Sequence, residues 1–536
     1  MARKQHLVRS HAHEEDIPGT VNVQAVEGDD AYYGQALFPV PAEDPNDPLQ
    51  WSRSKKITIL LIMCAYSFLG NAALLGPGPY LSLWSGIFNV SPDDASTLIS
   101  YPNLAYGFSS LVLVPLYLKF GRRPVMLGSM LAFIAGLAGC SRANTFSELM
   151  AWRIIHSFGA GICEALPVQL VNDIFFLHER GKHIGYYTFG MCFAAVATIP
   201  AAYMLPTQYS WRLFFYVSLA FASALFFVAF LFVEETSYDR EAHMNHDTAP
   251  GRSAETTSNG SEKPDEVIVE QVTSTPARKT FLETLRPWGR IDPEVNVFTL
   301  MWRSFTYFLV PQVFWVVTSF GTVIGLGALA FNFVFPIKIT APPYNWPASI
   351  SGVHSLGPIL GFLFALPFTS SSDKLAGYLT RRNNGIREAE MRLGVMLPAM
   401  IIGPLGLVVY GLTAQFNLHW IGYFFGSGLA SFGGYFYYCF TLAYAVDSYN
   451  SDTSEMLIAI NLGKQAVSFG LAFGVLNWVM ERGYAVIISG VFGSVLLANN
   501  LALILFMLRG KRIRRYMSRS WLAKLHHRNK HESLTL

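Results

Sequence analysis

Long apolar segments alternate with short polar segments along most of this chain. The hydrocarbon core of a bilayer is about 30 Å thick, so a helix that crosses it needs roughly 20 apolar residues. The pattern predicts six spans, a polar stretch, and then six more spans. The expected spans are Ile57–Leu83, Ser96–Leu118, Val125–Cys140, Met150–Phe176, Ile184–Leu205, Leu213–Val233, Phe308–Phe335, Pro347–Ser370, Leu393–Ala414, Trp420–Val446, Met456–Met480 and Tyr484–Leu508. We therefore predict an all-α membrane protein with twelve transmembrane helices in two pseudo-symmetric six-helix halves.

The spans divide the chain into five regions. Residues 1–56 are polar and of mixed charge, which predicts a disordered cytosolic tail. The two six-helix halves are expected at 57–233 and 304–508, with a cytosolic linker at 234–303 between them. Residues 509–536 form a basic cytosolic tail that we expect to lie against the lipid headgroups.

Lysine and arginine are concentrated in alternate loops, after spans two, four, eight and twelve, whereas the opposite loops carry few of them. Cytosolic loops of membrane proteins carry this excess of positive charge. Both termini and the linker are therefore predicted to be cytosolic, and the expected location is the plasma membrane. One glycosylation sequon, Asn89-Val90-Ser91, falls in the first outer loop, although Pro92 follows it directly.

Composition agrees with a membrane location and excludes several functional classes. Of the 536 residues, 52% are hydrophobic and 14% are charged, whereas soluble domains carry roughly 25% charged residues. The net charge of +3 is too small to indicate binding to nucleic acid. The five cysteines are scattered through apolar segments, which argues against a disulfide framework or a metal site. Neither a phosphate-binding glycine loop nor a nucleophile–base pair is recognisable. We therefore expect a protein that transports a small-molecule substrate and not an enzyme, and we expect no cofactor.

Span four carries three ionisable side chains. Arg153 and Glu164 are eleven residues apart, which in an α-helix places them about 20° apart around the axis and about 16 Å along it. His156 falls on the same stripe. Exposure of such groups to lipid costs several kcal/mol, so the stripe is predicted to face a pathway for substrate or protons. The alternative is a structural ion pair with another helix.

Other polar residues inside the spans are further candidates for the pathway, or else they hydrogen-bond between helices. They are Asn71, Asn332, Tyr437 and Asn461. Lys464 lies about two turns into span eleven, near enough to the inner surface for its ammonium group to reach it. We expect a salt bridge from Lys464 to Glu455 or Asp447, with a substrate-facing role as the alternative.

The loop between spans two and three reads PLYLKFGRRP over residues 115–124. This loop resembles the signature loop of the major facilitator superfamily. By that resemblance, Gly121 is expected to permit a tight turn, and Lys119, Arg122 and Arg123 are expected to bind neighbouring helix ends. The resemblance implies a twelve-helix fold, secondary transport by alternating access, and a monomer.

A related run, SSDK, occupies residues 371–374 at the same place in the second half and is followed by Arg381. The repetition strengthens the resemblance, because an excess of positive charge alone would not place the run in both halves. The second half keeps the acidic residue of the family's loop in Asp373. In the first half Leu118 stands at that position, so a charged gate built on the first loop lacks its carboxylate.

The cytosolic ends of spans four and ten are similar to the family as well. Asp173 and Arg180 follow span four, and Asp447 and Glu455 follow span ten. The resemblance implies that these acids form gating salt bridges with nearby basic loops.

Three further runs narrow the resemblance to a branch. Residues 44–52, which read DPNDPLQWS, are similar to the segment before span one in fungal facilitators of the drug:proton-antiporter type. Residues 372–393 and 447–449 are similar to fungal organic-cation and polyamine permeases and to exporters of secondary metabolites. Antiporters of this type usually carry a Gly-Pro-Gly-Gly-type run in span five. Span five of this chain keeps only Gly185, Gly190 and Pro200 of that pattern.

The resemblance implies export of a small amphipathic organic compound, such as a drug, toxin or secondary metabolite, in exchange for protons. A buried carboxylate binds a proton more readily than an exposed one, so Glu164 is the expected proton carrier. Proton-coupled uptake of organic cations such as polyamines is the alternative. A transporter-like sensor without net flux is the alternative from another class. The expected partners are the substrate, protons and membrane lipids.

Overall fold

Helices make up nearly all of the structure, which is a computed structural model of the chain. It describes residues 13–14, 17–22, 41, 44–238, 279–288, 291–293, 295–325, 331–449, 453–522 and 525. Most of the predicted N-terminal tail, residues 239–278 of the predicted linker and residues 526–536 lie outside the described residues.

Six long helices form the first half. They are α1 (Arg53–Leu75, Gly78–Tyr80 and Leu81–Phe88), α2 (Pro92–Phe120), α3 (Arg122–Arg142), α4 (Phe146–Ala160, Gly161–Glu164 and Leu166–Ile174), α5 (Leu177–Phe193, Ala194–Ala197 and Thr198–Met204) and α6 (Trp211–Phe232).

Six helical segments form the second half. They are α7 (Pro311–Val323 and Phe331–Thr340), α8 (Ala348–Ser355, Leu356–Ala365, Leu366–Phe368 and Ser371–Arg382), α9 (Ala399–Phe416), α10 (Ile421–Phe436, Tyr437–Thr441 and Leu442–Ser448), α11 (Thr453–Ala472 and Val475–Arg482) and α12 (Ala485–Phe492 and Gly493–Ser518). Short helices lie at Pro48–Gln50, Phe281–Thr284, Val297–Thr306, Tyr307–Leu309 and Ala389–Met396.

The described residues contain nine helices that are long and apolar enough to cross a membrane. There are ten if Val297–Leu309 and Pro311–Val323, which meet at 87°, count as one span. The helices α2 and α10 are long enough, but their many Ser, Gly and Tyr residues lower the mean hydropathy. The number of twelve spans therefore stays a prediction.

The two halves pack against each other along two pairs of helices. Helix α2 packs against α11, and the last part of α5 packs against the first part of α8.

Local sequence sets the start of α2, since the Ser91 hydroxyl accepts a hydrogen bond from the Asp94 N–H at 3.0 Å. Pro92 and the acidic Asp93 and Asp94 occupy its first turn, where they suit the helix dipole.

The prediction of a disordered tail over residues 1–56 is wrong for the described part. Strands β1 (His13–Glu14), β2 (Thr20–Asn22) and β3 (Ile386–Glu388) form a small antiparallel sheet in the order β1-β2-β3. Asp47 caps the Pro48–Gln50 turn directly before α1. Composition alone misses this order because the partner strand β3 lies more than 300 residues away in the sequence.

Arg514 of α12 binds this sheet to the C-terminal half. Its guanidinium donates to Glu388 Oε2 at 2.9 Å, to Glu390 Oε2 at 2.5 Å and to the Pro18 carbonyl oxygen. Hydrogen bonds from Lys511, Thr20 and Arg514 lower the pKa of Glu388, although burial alone would raise it. The predicted contact of the basic tail with lipid headgroups is therefore wrong for Arg514, which is fully buried.

Replacing Arg514 with Gln is expected to release β2 from β3. Hydrogen bonds to charged groups contribute roughly 1.5–3 kcal/mol each, and this change removes several of them. Amide hydrogen exchange over Thr20–Asn22 should become at least about tenfold faster, measured by mass spectrometry. Arg515→Gln, a neighbouring change at an exposed position, is the control and should leave the exchange unchanged. Equal protection in both variants would contradict this role of Arg514.

Candidate functional site

Helix α4 changes its geometry directly before Glu164. The chain is α-helical to Ala160, tightens to a 3₁₀ turn over Gly161–Glu164 and is α-helical again from Leu166. A Cβ on Gly161 would collide with Ser109 of α2, so glycine permits this close approach. Each 3₁₀ residue turns about 120° instead of 100°, so the turn rotates Glu164 by roughly 80° relative to a uniform α-helix.

Arg153 consequently lies between helices of the first half and not at the surface that faces the second half. Its Nε donates to the Leu98 carbonyl oxygen, and its Nη2 donates to the Leu74 carbonyl oxygen at 2.9 Å. The guanidinium lies 5.6 Å from the ring centroid of Trp84. No acidic side chain among the described residues pairs with it, so Arg153 joins α1, α2 and α4 through backbone carbonyls.

His156 is also buried within the first half. Its ring lies 6.2 Å from that of Phe133 on α3, and its backbone fills the space beside Gly136. The prediction that Arg153, His156 and Glu164 form one stripe facing a pathway is therefore wrong for the first two, because the 3₁₀ turn separates the faces. Of the three, only Glu164 is placed between the halves.

A buried ion pair joins the two halves at this point. Glu164 Oε2 of α4 lies 2.7 Å from Lys464 Nζ of α11, and the side chains are 2% and 3% exposed. The ammonium also lies 4.3 Å from the ring centroid of Phe320 on α7. The predicted partners of Lys464, Glu455 and Asp447, are wrong, because its side chain points toward α4 from about 16 Å along α11.

A cavity of about 90 Å³ lies beside this pair, between the two halves. Its polar lining includes Asn71, Asn103, Glu164, Asn332, His354, Ser355, Ser431, Tyr437, Tyr438 and Gln465. The rest of the lining is mostly apolar and includes leucine, isoleucine, valine, methionine, phenylalanine and alanine side chains. This mixture suits a molecule that has both an apolar body and polar groups.

Four of the predicted pathway residues therefore reach the cavity, namely Glu164, Asn71, Asn332 and Tyr437. The Asn71 side-chain amide donates to the Tyr106 hydroxyl at 3.0 Å, and the Tyr437 hydroxyl donates to Asn500. Asn461 is buried one turn before Gln465 on α11 and is not among the lining residues.

The halves contact each other at both ends of the cavity. Toward the predicted cytosolic face, the Tyr435 hydroxyl donates to the Gly185 carbonyl oxygen at 2.9 Å. Toward the predicted outer face, Thr198 donates to the Gly352 carbonyl oxygen at 3.2 Å. Asn477 and Asp93 are also joined there, at 3.3 Å. The two halves are therefore in contact on both sides of the cavity in this conformation.

The first-half signature loop has a carboxylate that the sequence reading missed. Glu235, directly after α6, accepts hydrogen bonds from the backbone N–H groups of Arg122 and Arg123, both at 3.0 Å. The carboxylate thus caps α3, where the dipole favours a negative charge. Gly121 turns the chain with a φ of +98°. The adjacent acids Glu234 and Glu235 after span six were the signal in the sequence that could have indicated this carboxylate.

The other predicted residues of the first-half loop lie in a network with α4 and α6. Arg122 Nε lies 3.4 Å from Asp173 Oδ2, as a gating pair would require. Arg123 donates to carbonyl oxygens of Phe230, Val233 and Thr284. Arg180 donates to the carbonyl oxygens of Asn172 and Phe175, and Lys119 Nζ lies 6.0 Å from the Phe120 ring.

Replacing Glu235 with Gln is expected to lower the free energy of unfolding by about 0.5–2 kcal/mol, the range for loss of a helix cap. Thermal unfolding of the purified protein measures this. Glu234→Gln is the matched control, since Glu234 forms a partly exposed pair with Lys55 at 2.6 Å and such pairs contribute about 0–1 kcal/mol. A smaller effect of Glu235→Gln than of the control would contradict the capping role.

The equivalent network of the second half is centred on Arg392. This nearly fully buried side chain binds both Asp373 and Asp447, and Arg387 Nη2 lies 3.9 Å from each of the two acids. Burial alone would lower the pKa of Arg392, but the carboxylates of Asp447 and Asp373 raise it above its ordinary value. Arg381, which was predicted to belong to the loop motif of this half, is not among the described residues that bind these two acids.

Arg381 is exposed on the last turn of α8, because the chain turns back through β3 and the Ala389–Met396 helix to bring Arg392 to the acids instead. Glu455 pairs with Arg303 at 3.4 Å. Asn89 is exposed at the end of α1 with a φ of +55°, and its glycosylation stays a prediction.

Comparisons with known proteins agree with this architecture. Residues 58–475 match the family profile of the Major Facilitator Superfamily. The chain is 24% identical to the MFS-type transporter C1271.10c of Schizosaccharomyces pombe, over 92% of this chain and 90% of that protein. It is 26% identical to the MFS-type transporter penM of Penicillium rubens, over 88% of each chain.

The fold is also similar to that of a solved structure, the proton:xylose symporter XylE bound to 6-bromo-6-deoxy-D-glucose. The TM-score is 0.54 at 14% sequence identity, and the match covers 86% of this chain and 96% of that chain. At this identity the likeness concerns the fold alone.

Proposed function

The chain belongs to the Major Facilitator Superfamily, and on this premise we propose that it exports a small amphipathic organic compound in exchange for protons. The observation that carries the proposal is the buried pair of Glu164 and Lys464, which joins the two halves beside the cavity. The relative penM is named as an MFS-type transporter, and the fold neighbour XylE is named as a proton symporter.

In this proposal the Glu164 carboxylate alternates between two states. It is either ionised and paired with Lys464, or protonated and unpaired. While Glu164 is ionised, its pair with Lys464 holds α4 against α11. Protonation removes the negative charge, so the attraction between the halves is lost and α4 separates from α11. Two buried charges are stable together but costly apart, so the protonation state of Glu164 and the separation of the halves change together.

The lining of the cavity supports an amphipathic substrate. Its apolar side chains would contact the body of the compound, and amide and hydroxyl groups would bind its polar parts. The distribution of lysine and arginine supports cytosolic termini, and we place the protein in the plasma membrane.

Uptake of organic cations such as polyamines is the second candidate. The rings of Tyr437 and Tyr438 and the carboxylate of Glu164 line one cavity, and aromatic rings attract cations. A cation would, however, have to displace Lys464 from Glu164 before it could pair with the carboxylate.

Accumulation of labelled spermidine and of ethidium in cells with and without the protein, across external pH, tests the proposal. Lower ethidium in expressing cells, reversed by a proton uncoupler, is the expected result. Spermidine accumulation that rises at acid external pH would favour uptake instead. If neither compound is moved but either binds the purified protein, a sensor without net flux would replace both proposals.

A further inference from the structure

His354 is a buried imidazole that reaches the cavity from the second half. It lies in the first part of α8, Ala348–Ser355, toward the predicted outer face. It is 4% exposed and is one of the residues that line the cavity. Glu164 reaches the same cavity from α4 of the first half.

Aromatic rings surround His354. Its ring stacks on Phe335 at 4.5 Å between centroids. Phe331 and Tyr410 contact it edge-on, at 6.2 and 5.9 Å. Phe424 lies at 6.3 Å. Three sides of the imidazole are thus covered by rings from α7, α9 and α10.

Neither ring nitrogen of His354 has a hydrogen-bond partner among the described residues. The hydroxyl of the neighbouring Tyr410 also has none there. Buried polar groups are nearly always hydrogen-bonded, and an exception calls for an explanation such as a ligand or a water. An apolar ring at position 354 would pack among these aromatic residues without burying two ring nitrogens that lack a partner.

We propose that His354 is a substrate-binding residue of the second half, which hydrogen-bonds a hydroxyl or amine group of the transported compound. A neutral imidazole accepts a hydrogen bond at one nitrogen and donates one at the other, which matches a group that can do both. The surrounding rings hold the imidazole in place and exclude competing water. The inference rests on the proposed transport through this cavity.

Chemical footprinting with diethyl pyrocarbonate tests whether the imidazole is open to the cavity. The full-length protein is treated in lipid nanodiscs, and the modification of each histidine is followed by mass spectrometry. His156 is the internal control, because it is buried as well, at 0% exposed against 4% for His354, but does not line the cavity. His354 should react faster than His156, and an excess of ethidium, which carries amine N–H donors, should slow the modification of His354.

Transport of ethidium by two variants tests the hydrogen bond itself. His354→Gln keeps a donor and an acceptor, and its KM should stay within about threefold of the wild-type value. His354→Phe keeps a ring but no polar atom, and its KM should rise at least about tenfold because a buried substrate group loses its partner. The kcat should change less than the KM in both.

Equal reactivity of His354 and His156, or an unchanged KM in His354→Phe, would overturn the inference. If the wild-type protein moves neither ethidium nor spermidine, the proposed function fails for these compounds. The footprinting experiment still tests the role of His354 in binding in that case, since protection of His354 by bound ethidium requires no transport.

Discussion

Replacing Glu164 with Gln is expected to abolish proton-coupled transport and to lower the stability of the protein. The glutamine amide cannot bind and release a proton as a carboxylate does. Residue 164 can then no longer alternate between pairing with Lys464 and binding a proton. The change also leaves Lys464 buried and unpaired, and breaking a buried ion pair costs roughly 3–5 kcal/mol. Transport in cells and thermal unfolding of the purified protein measure the two effects.

Two further variants separate the loss of the proton site from the loss of stability. Glu164→Gln combined with Lys464→Met removes both charges and should recover most of the stability without recovering transport. Glu148→Gln changes an exposed acid at the start of the same helix and should leave transport unchanged. Proton-coupled transport by the double variant would assign the proton site to another residue.

Replacing Arg392 with Gln is expected to destabilise the cytosolic end of the second half. The change leaves the carboxylates of Asp373 and Asp447 close together, and among the described residues their remaining basic partner is Arg387, at 3.9 Å from each. We expect a loss of roughly 3–5 kcal/mol, as for other buried pairs, which appears as a lower melting temperature. Hydrogen exchange over α8 and α10 near the two acids should also accelerate.

Arg381→Gln is the matched control for Arg392→Gln. Arg381 carries the same charge in the same loop region but is exposed, so its replacement should change the melting temperature little. Similar losses in the two variants would contradict the assignment of Arg392 as the centre of this network.

Much of the fold could be predicted from the sequence, because each span depends on local apolar length. The boundaries of α2 and α6 fall close to those expected, and the signature loop was found at Gly121, where the backbone requires a positive φ. Family membership was predicted from the same local motifs and is confirmed by the family match.

The candidate site could be predicted only in part, because its pairs join residues far apart in the sequence. Glu164 was found as a charge inside a span, but its partner Lys464 lies 300 positions later. The assumption of a uniform α-helix failed at Gly161–Glu164, which separated Glu164 from Arg153 and His156. The sequence Gly159-Ala160-Gly161 was a signal for that break, since glycine weakens a helix.

His354 and Glu235 were missed because their contacts come from distant parts of the chain. A histidine among apolar residues resembles a packing residue until its neighbours are known, and the rings around His354 come from three other helices. Glu235 acts on the start of α3, more than 100 residues earlier in the chain.

Proton movement coupled to substrate movement is the most direct test of the account. The purified protein is placed in liposomes that contain a pH-sensitive dye, and ethidium is added on one side. Ethidium carries a permanent charge and releases no proton of its own, so a change of internal pH that exceeds the change in protein-free liposomes reports protons moved by the protein. The account predicts proton movement opposite to ethidium in the wild-type protein and none in Glu164→Gln. Ethidium transport without proton movement, or equal proton movement in the variant, would contradict it.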